Sequence, residues 1–228
     1  MLIDDFVGDL DRTLAGPPGL KRDLVVEARD SLIDAADALE ADGLHRAEAE
    51  RLAVAEFGAV TQVAPGYQAE LMAAAGRRLG LLLLIGIPIT VLMWSVIWRA
   101  YPLDRIALTD EPGWYVPLSR ALDITQLAMG LYGGLALLAL SRGARWIRRP
   151  QAVTRSLGIL VWVTLPATGL MSVSLSLTPG MEILPNFLPA VLANLATAAF
   201  WGLQVYGATR CLQITRRPAP HSRPRLPA

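Results

Sequence analysis

From residue 79 onward the chain gives up the mixing of polar and apolar positions and becomes continuously apolar over long stretches. Residues 79–98 (LGLLLLIGIPITVLMWSVIW) are twenty positions without a charge, and comparable runs occupy 124–141, 156–181 and 183–209. A helix rises 1.5 Å per residue and a hydrocarbon core is ~30 Å thick, so about 20 residues suffice to cross it. A soluble bundle would show a polar stripe on each helix, and these runs show none. The pattern predicts four transmembrane helices at about 79–98, 121–141, 156–178 and 186–209.

The first third has a different rhythm. Leu2, Phe6, Leu10 and Leu14 recur every fourth residue, which predicts a helix over 2–14 with one apolar face. Gly16-Pro17-Pro18-Gly19 stops it, because proline has no N–H for the ladder. Leu24, Ala28, Leu32, Ala35 and Leu39 mark a second helix over 20–41, closed by Gly43. Ala49, Leu52, Ala53 and Phe57 mark a third over 44–57, ended by Gly58, and a fourth is expected from about Thr61 with Pro65 in its first turn. The expected fold is all-α: a small helical domain over 1–72, a four-helix transmembrane bundle over 79–213, and a basic, Pro-rich unstructured tail over 214–228.

Composition sharpens this division. The 228 residues are 53% hydrophobic and 18% charged, poorer in charge than the roughly 25% of soluble domains. The net charge of +1 conceals a split. Residues 1–70 carry fifteen acidic and six basic side chains, and the rest carry fifteen arginines and five acids. The arginines also predict orientation. Arg77 and Arg78 precede the first span, Arg142, Arg145, Arg148, Arg149 and Arg155 lie between the second and third, and Arg216 and Arg217 follow the fourth. By the positive-inside rule both termini face the cytoplasm of a multi-pass cell-membrane protein, as an even number of spans requires. The start is acidic and the first apolar run begins after residue 78, so no signal peptide is expected. Trp94, Trp98, Tyr101, Trp114, Tyr115 and Trp146 fall near the expected span ends, where aromatic rings favour the headgroup layer.

Within the second helix, Asp23, Glu27, Asp30, Asp34 and Asp37 recur at steps of four and three, a continuous acidic stripe. Like charges at this spacing cost an isolated helix a few tenths of a kcal/mol each. Either the stripe is a solvated surface relieved by Lys21, Arg22 and Arg29, or it docks something basic. The basic partner is then the arginine-rich segment 142–155 or a separate protein. Nucleic acid itself is excluded on this face, since phosphate affinity comes from Lys and Arg.

The head resembles a known family. The segments IDDFVGDLDRTL at 3–14, EARDSL at 27–32, Gly43, AEAERLAVAEFG at 47–58 and VAPGYQAEL at 63–71 follow the order of the HAAS-type, permease-prefix-like helical domain of bacterial, especially actinobacterial, membrane proteins. That resemblance implies a signalling or regulatory role beside PadR-like winged-helix regulators, or a prefix on ABC-type permeases.

No catalytic constellation accompanies these features, and the chain is read as a non-enzyme without cofactors. His45, in the third helix, and His221 lack evident partners, and one cysteine, Cys211, with two histidines cannot make a structural zinc site. No glycine-rich phosphate loop occurs. Asp123 is placed in the first turn of span two, where an acid suits the helix dipole. Small residues predict helix packing at Gly130 and Gly134 in span two and at Ala190, Asn194, Ala198 and Gly202 in span four, within the bundle or in a homodimer. Pro88 and Pro166 are expected to kink spans one and three. The resulting expectation is a membrane-anchored regulator whose acidic head binds a cytoplasmic partner, such as a winged-helix transcription regulator. The alternative is an accessory or permease subunit of a transport system.

Overall fold

The computed structural model describes residues 2–100, 112–142, 150–177 and 187–216. Among these residues there are seven helices and no strand: α1 (Leu2–Thr13), α2 (Pro18–Ala41), α3 (Arg46–Phe57), α4 (Val60–Ala100), α5 (Tyr115–Arg142), α6 (Pro150–Ser176) and α7 (Leu188–Arg216). The fold is all-α. Two compact units divide it, one containing residues 1–75 with the chain from 213, the other 76–212, so the division falls inside α4 and again inside α7.

In the first unit the apolar periodicity becomes a core. Ile3, Phe6, Leu10 and Leu14 pack with Leu24, Ala28, Leu32 and Ala36 of α2, Ala49 and Ala53 of α3, and Ala64 and Leu71 of α4. Two positions differ from expectation: Leu2 is 48% exposed while Ile3 is buried, and Ala36 takes the innermost place expected of Ala35. On α1 the steps of three, four and four follow a 3.6-residue helix more closely than steps of four alone, whereas α2 keeps steps of four from Leu24 to Ala36. Phe57 closes the end of the core edge-on to Phe6, with ring centroids 5.7 Å apart.

Helix boundaries follow the backbone chemistry of the turns. α2 begins at Pro18, two residues before the expected Leu20, because proline at the first helical position sacrifices only an N–H that would be unpaired there. At the other end Leu44 N–H donates to Leu39 O (3.2 Å) and Gly43 N–H to Glu40 O (3.0 Å), the paired bonds of a Schellman cap. Gly43 adopts φ +99° to make them. α3 starts at Arg46, later than expected, with His45 as its N-cap: Nδ1 accepts from Ala47 N–H at 3.4 Å. α4 starts at Val60, so Pro65 is its sixth residue and lies in the second turn, not the first. The α1–α2 connection is tied to α4 by Gln68, whose side chain accepts from Ala15 N–H (2.9 Å) and donates to Ala15 O (2.8 Å).

The second unit inverts the usual pattern. Leu92 (64%), Ile124 (66%) and Leu170 (71%) face outward, and the most apolar windows of α4 to α7 are only 17–33% buried within the protein. Water would not tolerate so large a contiguous apolar surface, whereas hydrocarbon suits it. All four helices are long and apolar enough to cross a membrane, and the chain is a multi-pass membrane protein. The helices overrun the expected spans: α5 starts at Tyr115, not 121, which leaves Asp123 exposed in its third turn, and α7 continues to Arg216, past the expected limit of 213.

Inside the bundle, glycine sets the closest approach. A Cβ on Gly80 of α4 would lie 2.8 Å from Gly133 O of α5, and one on Gly133 would lie 3.0 Å from Gly80 O. α6 and α7 meet likewise, a Cβ on Gly158 falling 3.0 Å from Ala208 O. Polar contacts also cross between helices: Trp94 Nε1–H donates to Thr197 Oγ1 (3.2 Å), and the Tyr132 and Ser156 hydroxyls pair at 2.7 Å.

Gly43, in the turn after α2, and Gly19, in the first turn of α2, should respond oppositely to alanine. Gly43→Ala forces a side chain into the left-handed region and should destabilise the head by about 1–2 kcal/mol. Gly19→Ala, in α2 with no atom within 4 Å of the added methyl, should be neutral or stabilise by about 0.5 kcal/mol. Hydrogen exchange of α1–α3 in the full chain distinguishes them.

Candidate functional site

The acidic stripe is created by the same helical phase that builds the core. With Leu24, Ala28, Leu32 and Ala36 turned inward, Asp23, Glu27, Asp30, Asp34 and Asp37 all emerge exposed on α2. The cations expected to relieve them mostly do not. Lys21 Nζ bonds Asp11 (3.1 Å) and the Arg29 guanidinium bonds Asp4 (2.7 Å), both acids of α1. Long basic side chains on one helix reach the neighbouring helix as readily as their own next turn, and α1 supplies the acids. Among the described residues Asp23, Glu27, Asp30 and Asp34 have no ion-pair partner.

Asp37 stands apart. Arg46, at the start of α3, donates to Asp37 and reaches Glu40 and Glu50 at 3.2 Å each. These three carboxylates, Asp37 first, hold its guanidinium above its ordinary pKa, so it stays charged at any accessible pH. The hub was readable in principle: the reversal at Gly43 turns the first residue of α3 back toward the acids that end α2. The free stripe is therefore four carboxylates, from Asp23 to Asp34.

The other residues singled out in the sequence fall in several places. Gly130 and Gly134 of α5 both lie against α4, the first near the Leu83 backbone and the second against Leu84, but the tighter contact is their neighbour Gly133. Of the four small or polar residues singled out on α7, Ala190 is buried, whereas Asn194, Ala198 and Gly202 face outward. Each four-residue step turns a helix by about 400°, so three steps rotate the stripe by about 120° away from its origin. The inward seam instead runs through Ala193, Gln204, Ala208 and Cys211, whose steps keep phase with the neighbouring helices.

Of the arginines taken to set orientation, Arg77 is half-buried and donates to Leu140 O (3.3 Å), whereas Arg78 and Arg216 are exposed. Arg142 ends α5. Arg145, Arg148, Arg149 and Arg217, like Tyr101, Trp146, His221 and most of the segment 214–228, lie outside the described residues. Among the described residues no three His, Cys, Asp or Glu side chains converge as metal ligands.

The glycine contacts generate a paired test of bundle packing. Gly133→Ala should cost about 1–3 kcal/mol through overpacking against α4. Gly202→Ala, with nothing within 4 Å of the new methyl, should leave thermal stability in detergent within about 0.5 kcal/mol of the parent.

No protein-family profile, curated protein or solved structure matches the chain.

Proposed function

We propose that this protein is a membrane-anchored regulator whose head docks a basic protein partner in the cytoplasm through the face Asp23–Glu27–Asp30–Asp34. The observation that carries the reading is the set of four exposed carboxylates that have no ion-pair partner among the described residues, while nearby Lys21 and Arg29 are engaged elsewhere. The rise of the helix from Asp23 to Asp34 spreads them along about 17 Å. Repulsion along such a row is relieved when a basic surface covers it. The resemblance of the head to HAAS-type domains points to a winged-helix regulator. Its DNA-reading surface is basic because it meets phosphate, so the acidic face competes with DNA for it. Holding the regulator at the membrane then lowers its occupancy on DNA. Positive-inside arginines support a head and C-terminus on the cytoplasmic side.

The test uses the full-length protein in nanodiscs and a cytoplasmic extract, with Glu27→Gln/Asp30→Asn/Asp34→Asn as the comparison. A winged-helix regulator should be retained at low salt, released as ionic strength rises, absent from the triple variant, and displaced by its own DNA site. Exposed charge pairs are screened over ~10 Å at 0.1 M salt, so binding indifferent to salt, or equal binding by the variant, overturns the proposal. Capture of a transport ATPase in its place would establish the transport reading.

A further inference from the structure

Between α4 and α7 the lipid-facing surface of the bundle is indented by a groove of ≈ 450 Å³. Its floor arises from one residue. Gly86 has no side chain, and the ring of Phe200 lies where its Cβ would be. On α4 the large side chains of Ile85 (51% exposed) and Ile89 (60%) stand up as one wall, and Ala196 of α7 keeps the opposite side low. The Thr90 hydroxyl, which also lines the groove, donates to Gly86 O at 2.9 Å and so offers no free donor to an occupant.

The N-terminal end of the groove is different. Arg78 lines it, exposed and with no ion-pair partner among the described residues, while adjacent Arg77 is turned to Leu140 O. From Arg78 to Met93, which also lines the groove, the helix rises about 22 Å, more than the ~15 Å of one hydrocarbon leaflet. A largely apolar channel that spans at least one leaflet, with one cation at its end that has no ion-pair partner among the described residues, complements an amphiphile with an anionic head. A helix about 10 Å across over the same length would fill about 1,700 Å³ and so stand mostly outside the groove, whereas a single acyl chain fits within it.

We propose that this groove is a binding site for one anionic glycerophospholipid, an acyl chain lying over Gly86 and the phosphate paired with Arg78. The site depends on the membrane setting of α4 and α7 and not on what the acidic head binds.

The test titrates the full-length protein in detergent with phosphatidylglycerol or phosphatidylcholine of identical acyl chains, and counts retained lipids by native mass spectrometry. One phosphatidylglycerol per chain should be held, about fivefold more strongly than phosphatidylcholine, the ratio expected for one arginine at a membrane surface. Arg78→Gln should abolish that preference. Arg99→Gln, which removes an exposed charge from the opposite end of α4, should preserve it. Ala196→Leu, which fills the groove, should lower retention of both lipids. Equal retention of the two lipids by the parent, an equal loss in Arg99→Gln and Arg78→Gln, or unchanged retention in Ala196→Leu overturns the proposal.

Discussion

A backbone N–H or C=O inside a bilayer finds no water, so it must be paired within its own segment, and a helix is the simplest structure that does so. The architecture of residues 76–212 follows from that constraint. Once the helices are formed, their leucines and isoleucines gain nothing by turning inward, because lipid is as apolar as they are. They remain outside, as Leu92, Ile124 and Leu170 do. What draws the helices together must be close fit and a few polar contacts. Hence the backbones of α4 and α5 meet at Gly80 and Gly133, those of α6 and α7 at Gly158, and Trp94 bonds Thr197 across the bundle.

The head obeys the opposite logic. Its core is made of a few large residues, notably Phe6, Leu10, Leu32 and Leu71, fitted among alanines that let the helices approach closely. Little apolar area is available in so small a unit, and polar devices define its edges: the Schellman cap at Gly43, the Gln68 clamp on Ala15, and the Arg46 cluster. Exposed ion pairs of this kind add little stability each, but they decide which acids are neutralised and which are left open. Because Lys21 and Arg29 pair with acids of α1, neither neutralises the carboxylates of the α2 face.

Much of the fold was legible along the chain because its signals are long or local. Eighteen or more uncharged apolar residues allow few interpretations, and the Gly43 and Gly58 stops depend only on backbone freedom at one position. Errors gathered where a local signal was ambiguous. Pro18 could break α1 or begin α2, and it does the second. His45 could belong to α3 or cap it, and it caps. On α7 two seams share Ala190, and only neighbouring helices select the one through Ala193, Gln204 and Ala208 over the one through Asn194, Ala198 and Gly202.

Sequence by itself therefore determined the helical class, the four apolar spans and the phase of the acidic stripe, since each depends on period and polarity along one segment. Only the tertiary structure decided which carboxylates Lys21, Arg29 and Arg46 neutralise, which glycine carries a helix crossing, and that Gly86 opens a groove beside Arg78. Those outcomes depend on the side chains a second helix brings alongside, and no periodicity within one segment encodes its neighbour's register.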